Sequence, residues 1–584
     1  MNWTGCSGEL RMTDYLQQAW SLGLLRPVDY HLARQLQRLV PGASSLAALL
    51  AALTSHAVGQ GDVCLDLERL AGNRLQSGDS TSALVLPDTA ELLQSLQAWP
   101  AVAAAGVQAP LVLEAQRLYL GRYWQYEQQV AAALRSRASA VPDNELDLPL
   151  LEQGLARLFP QSAATDWQRV AAETAVRRRL CVISGGPGTG KTHTVASVLA
   201  LLLEQAAGRR LRMALVAPTG KAAARLSEAL RKTRERLACS EEIRAAMPDS
   251  SSTIHRLLGL HPGAVRPRYH RDNPLVLDLL VVDEASMVDL PTMARLLEAL
   301  PPRCRLVLLG DKDQLASVEA GSVFADITRA GGDSVVLLRR SYRFNDEAGI
   351  GALARAINLG QAAETQALLQ SGAADLQWQR CSATQRLPAL QQVAVQLAAL
   401  FDSGTPQAAL AWLERFRLLC AVRKGPFGVE QVNRDLEQLL RQAGLVTTAG
   451  ELYRGRPLMI THNAPALGLF NGDVGILWPD SAGSLKAWFP TAGAELKSVS
   501  PARLPTHETA WAMTVHKSQG SEFDRVLLLL PPEPNPVLTR ELLYTGVTRA
   551  REAVELWAEP GIVAHCVGSR VQRASGLAEK LLEL

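Results

Sequence analysis

Residues 180–205 read LCVISGGPGTGKTHTVASVLALLLEQ: a short apolar run, a glycine-rich turn and a long apolar helical pattern in immediate succession. The turn, Gly185, Gly186, Pro187, Gly188, Thr189, Gly190, Lys191 and Thr192, matches GxxxxGK[ST] in the strand-to-helix context that this motif requires. Backbone N–H groups of such a turn and the positive end of the following helix cradle phosphate oxygens. Lys191 adds a point charge, and the Thr192 hydroxyl is a ligand for Mg2+. A nucleotide site is therefore expected here; the plain alternative is a glycine-rich turn with no ligand.

Outward from this turn, β-rich runs alternate with helical segments: RMALVA at 212–217, LLVVDE at 279–284 and RLVLLGD at 305–311. That alternation predicts a parallel sheet wrapped by helices. A second series, RLLCAVR at 417–423, AWAMT at 510–514, DRVLLLLP at 524–531 and AVELWA at 553–558, predicts another α/β unit in tandem. Between these, PLMITHN, DVGILWP and LKAWFP at 457–490 read as short strands joined by turns, a small β insertion. Upstream, LAALLAAL at 46–53 and ELLQSLQAW at 91–99 repeat near the helical period, so an all-α N-terminal unit is expected. The expected division is 1–135 for the helical unit, 136–340 for the first α/β domain and 341–584 for the second, with the insertion at about 470–508.

Composition bounds the rest. A chain of 584 residues, 47% hydrophobic and 20% charged, has room for several cores and lies far from the disordered class. Sixty Lys+Arg against 57 Asp+Glu leaves a net charge of +3, so any polyanion site must be local. The cysteines at 6, 64, 181, 239, 304, 381, 420 and 566 form no CxxC pair and fit a reducing compartment. The opening MNWTGCSGELRM lacks the pattern of a secretory signal, and no run approaches a membrane span. A soluble cytoplasmic protein without membrane contact is expected.

Phosphate loops serve many chemistries, so other motifs must choose among them. In LLVVDEAS, Asp283 and Glu284 end an apolar strand, where the first can hold Mg2+ through water and the second can polarise an attacking water. The structural alternative is an acidic helix start capped by Glu284 and Ser286. In LLGDKDQL at 308–315, Asp311 and Gln314 end another strand, and Gln314 is placed to sense a terminal phosphate. Arg343 in LLRRSYRF and Arg549 in LLYTGVTRAR are candidates for an arginine that reaches the phosphates from the second domain.

Taken in order with APTGKAAARL at 217–226, TIHRLLG at 253–259 and TVHKSQGSEF at 514–523, these motifs resemble superfamily 1 helicases over roughly residues 160–560. The resemblance implies two tandem RecA-like domains and ATP as the nucleotide, with Gln168 reading adenine. LLCAVRKGPFGVEQVN at 418–433, LGLFNGDVGIL at 467–477, GQGDVCLDL at 59–67 and LYLGRYWQYE at 118–127 narrow it, since nearly the whole chain is similar to the RecD family. RecD is the helicase subunit of the RecBCD complex. That resemblance implies a 5′ to 3′ motor on single-stranded DNA, acting at double-strand DNA ends in recombinational repair, an SH3-like insertion, and RecB and RecC as partners. It also implies that the N-terminal unit docks on a partner.

In the helicase pattern, loops away from the ATP cleft hold the DNA strand. Pro218, Thr219, Lys221, His255, Thr514, His516 and Lys517 lie in those motifs and offer hydroxyls, imidazoles and ammonium groups to phosphates and bases. Asn471 in the FNG turn joins them, although Asn-Gly is also what a hairpin turn needs. A nucleotide-controlled switch that moves no strand is the alternative function, and the paired acids argue against it. No carboxylate cluster suggests a nuclease.

Overall fold

The computed structural model describes residues 14–76, 83–160, 165–260, 266–344, 348–448, 450–491 and 495–582; Cys6 and the opening MNWTGCSGELRM lie outside them. The first α/β domain is built on a six-stranded sheet, parallel throughout. Its order is Val335–Leu338, Leu180–Gly185, Arg305–Gly310, Leu279–Val282, Met213–Ala217 and Ser252–Thr253. Side chains alternate along each strand, and both faces are covered. Leu180, Val182, Leu280, Val282, Leu306 and Leu308 enter one core, while Cys181, Ile183, Leu279, Val281, Val307 and Leu309 enter the other. Each such buried aliphatic side chain contributes about 1.5–3 kcal/mol, which explains why the strands read as unbroken apolar runs.

The second domain repeats the design with a five-stranded parallel sheet, ordered Leu376–Gln379, Ala550–Trp557, Phe523–Leu529, Phe416–Cys420 and Ala512–Thr514. Two edge strands, Val335–Leu338 and Leu376–Gln379, were not anticipated. The first runs straight into the arginines of LLRR, and the second carries glutamines at alternate positions.

The insertion is a five-stranded antiparallel sheet, ordered Leu496–Val499, Leu485–Pro490, Val474–Pro479, Pro457–Ile460 and His507–Thr509. Pro457–Ile460 pairs with strands on both sides, so the insertion includes the PLMITHN run read as its first strand and starts ahead of residue 470, the bound given in the domain division.

The N-terminal unit is not all-α. Helices Pro27–Leu39, Ser45–Gly59 and Thr89–Gln97 are joined by a four-stranded sheet of Leu65–Asp66, Arg117–Leu120, Leu111–Glu114 and Val102–Ala104. These strands have two to four residues, too few to display a period of two. Gly121, the first helical residue after Arg117–Leu120, sits where a Cβ would stand 2.0 Å from the Ala109 carbonyl oxygen. The expected boundary at 135 falls inside the helix Gly121–Ala138, whose Val130, Ala131 and Leu134 share a core with Leu180, Val182 and Met293. That helix therefore packs with the first α/β domain.

Candidate ATP site and nucleic-acid interface

The phosphate loop leaves the strand Leu180–Gly185 and enters the helix Lys191–Gln205 through Gly188 at φ +77° and Gly190 at φ +83°, a left-handed backbone that glycine adopts without strain. The surroundings also forbid a side chain there. A Cβ on Gly190 would stand 2.1 Å from Gln168 Nε2, and one on Gly188 2.3 Å from Arg343 Cβ. Thr189 Oγ1 donates to the Gly186 carbonyl at 2.9 Å, and Lys191 Nζ donates to the carbonyls of Gly185 and Gly186 at 2.6 and 3.1 Å. Gln168, nearly buried, props the turn from beneath by donating to the Thr189 carbonyl at 2.9 Å.

Asp283 and Glu284 follow Leu279–Val282, one strand removed from the phosphate-loop strand, with Arg305–Gly310 between them. Burial, then the charge of Glu284, pushes the Asp283 carboxyl up to about 6, with Lys191 opposing. Glu284 is held at φ +51°, a strained backbone for a residue with a side chain. The capping alternative fails: Asp289 caps the next helix by accepting from Thr292 N at 2.7 Å, and Ser286 Oγ is buried with no hydrogen-bond partner among the described residues. A buried carboxylate near the loop, the Thr192 hydroxyl and an orphaned serine oxygen are hard oxygen donors. They fit Mg2+, which takes one or two protein oxygens and fills its shell with phosphate and water.

The segment that leaves the first sheet after Leu338 and a helix of the second domain both lie over this loop. Tyr342 N donates to the Gly188 carbonyl at 2.8 Å, and Ser341 Oγ to the Pro187 carbonyl at 3.3 Å. Tyr544, on the helix Arg540–Val547, lies where a Cβ on Gly186 would stand 2.9 Å from its hydroxyl. That hydroxyl donates to Asp311 Oδ2 at 2.9 Å, and Gln314 Nε2 donates to the same oxygen at 2.9 Å. Burial, then the Asp311 charge, holds the phenol well above its ordinary range, so it stays a donor.

The two candidate arginines differ. Arg343 stands beside the phosphate loop and donates to Glu522 Oε1 at 2.7 Å. Arg549 is buried within the second domain and donates to the carbonyls of Thr545 and Ser521 at 3.1 and 3.2 Å. Glu522 joins them: burial alone would raise its carboxyl, but the charges of Arg343, Arg225 and Arg549 bring it down to about 2. Tyr544 and Glu522 were both missed, although each sits inside a motif quoted above for other residues.

A second contact between the domains collects several DNA candidates. Lys517 Nζ donates to Asn471 Oδ1 at 2.8 Å, and Lys517 N to Thr514 Oγ1 at 3.2 Å. Phe470, next to Asn471, lies 3.4 Å from where a Cβ on Gly220 would be. Thr219 accepts from Ala222 N at 3.2 Å and caps the helix Gly220–Arg236, and half-buried Pro218 precedes it. Burial, then Arg225 and Arg417, pushes the Lys221 ammonium down to about 7. Two candidates make no described contact with these. His255 is exposed on the short helix Ile254–Leu257, and the His516 imidazole is held low by burial and by Arg573.

Two tandem parallel-sheet domains, a phosphate loop in one and loops of the other closing over it define an ATP-dependent DNA helicase of superfamily 1. Family models agree: AAA domain matches residues 168–320, UvrD-like helicase C-terminal domain 509–556, and RecBCD enzyme subunit RecD, N-terminal domain 21–119. RecBCD enzyme subunit RecD of Mycolicibacterium smegmatis is 41% identical over 96% of this chain and 98% of its own, and that of Haemophilus influenzae 33% over 98% and 100%. The ATP-dependent RecD2 DNA helicase of Deinococcus radiodurans is 30% identical over 75% of this chain and 54% of its own. The chain belongs to the RecD family.

Proposed function

We propose that the chain moves 5′ to 3′ along single-stranded DNA as the ATP-driven RecD subunit beside RecB and RecC. In that heterotrimer it unwinds and processes double-strand DNA ends for recombinational repair in the cytoplasm. The observation that carries this reading is that the same two domains meet twice. One meeting is over the phosphate loop, through Tyr544 and Asp311; the other is at Phe470 against Gly220, beside the Lys517–Asn471 pair of the second domain, among cations and hydroxyls suited to a phosphate backbone. Closure over ATP and grip on DNA are then one motion, and hydrolysis becomes stepping. Direction and partners follow the family; among the described residues no helix is long and apolar enough to cross a membrane.

At the ATP site Lys191 binds the terminal phosphates, Gln168 reads the adenine edge, and Thr192 and Asp283 would hold Mg2+, which neutralises developing phosphate charge when bound. Glu284 orients the attacking water and takes its proton, Gln314 registers the terminal phosphate, and Arg343 and Arg549 are the arginines that act from the second domain. Pro218, Thr219, Lys221, His255, Asn471, Thr514, His516 and Lys517 are assigned to DNA. The antiparallel sheet of the insertion is read as SH3-like, and the N-terminal unit as the part that docks on a partner.

The test is steady-state ATPase of the full chain, alone and with RecB and RecC, with and without a mixed-sequence single-stranded oligonucleotide across a salt series. Salt-sensitive stimulation, followed by displacement of a block only from the 3′ end of the strand, is expected. Absence of DNA stimulation in the assembled complex would overturn the motor reading.

A further inference from the structure

The helix Pro560–Gly568 packs in the core of the second domain, whereas the helix Leu577–Leu582 packs with Val130, Phe324 and Ile327 of the first. The residues between them cross from one motor domain to the other. At the near end, Arg540 N donates to the Ser569 carbonyl at 2.8 Å and Val571 N to Glu541 Oε2 at 3.1 Å. Both contacts are on the first turn of the helix that carries Tyr544.

At the far end, the Arg573 guanidinium donates to the carbonyls of Ser317, Glu319 and Gly321 at 2.6, 2.9 and 3.1 Å. Ala574 N then donates to Asp62 Oδ1 at 2.7 Å, and Gly576 N to Glu127 Oε2 at 3.0 Å. Fully buried Glu127 also accepts from Lys580 Nζ at 2.6 Å.

Ser317 to Gly321 is the far end of the loop that begins at Asp311 and carries Gln314. The middle of this loop is held from the second domain: Leu315 N donates to Thr545 Oγ1, and Gln519 Nε2 donates to the Leu315 carbonyl, each at 2.9 Å. The loop is therefore fixed by Tyr544 at its start, by Thr545 and Gln519 at its middle and by Arg573 at its end. A planar guanidinium spreads rigid donors over separate nitrogens and so holds three carbonyls at fixed angles, whereas an ammonium offers three rotatable donors from a single point.

We infer that Arg573 is a positioning residue for ATP hydrolysis. It sets the loop 311–321 so that Gln314 faces the terminal phosphate, and it ties that loop to the Tyr544 helix as the domains close. The inference rests on the reading of Gln314 given above.

The test compares Arg573→Ala, Arg573→Lys, Gln314→Ala and Arg117→Ala in the full chain under saturating single-stranded oligonucleotide. kcat and KM for ATP, binding of a fluorescent ATP analogue and Tm are measured for each. Arg117 pairs with Glu579 at the surface of the same C-terminal segment, so Arg117→Ala reports general loosening of that segment. Expected is a roughly tenfold fall in kcat for both Arg573 variants, with KM and analogue affinity within twofold of wild type and Arg117→Ala unchanged. An unchanged kcat in Arg573→Ala while Gln314→Ala is impaired overturns the inference alone. A matching loss in Arg117→Ala, or a loss confined to KM, also overturns it. Full activity of Gln314→Ala instead overturns the reading of the loop on which the inference stands.

Discussion

Tyr544 and Asp311 are joined by a 2.9 Å hydrogen bond between the two motor domains, from a buried phenol to a buried carboxylate. The bond spans the opening over the phosphate loop, so it exists only while the domains are together.

Removing that bond has a bounded effect, because Asp311 still accepts from Gln314 Nε2 and from Asp313 N. Tyr544→Phe should weaken closure by about 1 kcal/mol. Stopped-flow ATP binding and steady-state turnover should show a loss of roughly fivefold, with Tm nearly unchanged.

Lys191→Gln tests the phosphate loop itself. Its ammonium touches only the loop carbonyls of Gly185 and Gly186 among the described hydrogen bonds, so the fold does not depend on it. Hydrolysis should disappear while the circular dichroism spectrum and Tm stay those of wild type.

The two arginines should separate. Arg343→Ala, which gives up a half-exposed pair with Glu522, should slow hydrolysis by on the order of a thousandfold and spare nucleotide binding. Arg549→Ala strips the carbonyls of Thr545 and Ser521 of a buried donor, so a lowered Tm should accompany any loss of turnover.

Glu522 gives a pH signature. Its carboxyl falls from the ordinary 4.5 to about 2 in the folded chain, because Arg343, Arg225 and Arg549 outweigh burial, and Arg551 faces it as well. A depressed carboxyl stabilises the fold above its unfolded value and loses that contribution as the pH falls towards 2. Urea unfolding of wild type and Glu522→Gln should differ most at pH 6 and converge between about pH 4 and 2.

On the DNA side, Lys517→Ala removes one cation from the contact with Asn471. Single-strand affinity measured against salt should keep its sequence tolerance and lose about 0.7 from its logarithmic slope.

Much of the candidate ATP site is legible in the sequence because its parts are local. Loop, strand and helix of residues 180–205 are contiguous, and Asp283 and Glu284 simply end a buried strand. The N-terminal strands were not legible, since segments of two to four residues carry no period. Tyr544 and Glu522 were passed over because a tyrosine and a glutamate inside a motif look like packing and solvation until something faces them.

The sequence alone determined that two parallel-sheet domains stand in tandem, that the first carries a phosphate-loop motif, and which family the chain resembles. Each of these follows from short-range pattern, where burial on both faces writes unbroken apolar runs and a left-handed turn demands glycine. Only the tertiary structure decided which groups meet between domains. Tyr544 and Asp311 are 233 positions apart, and Arg573 reaches Gly321 across 252. Such pairings depend on how two separately formed cores come together and on where the chain returns, neither of which has a local signature.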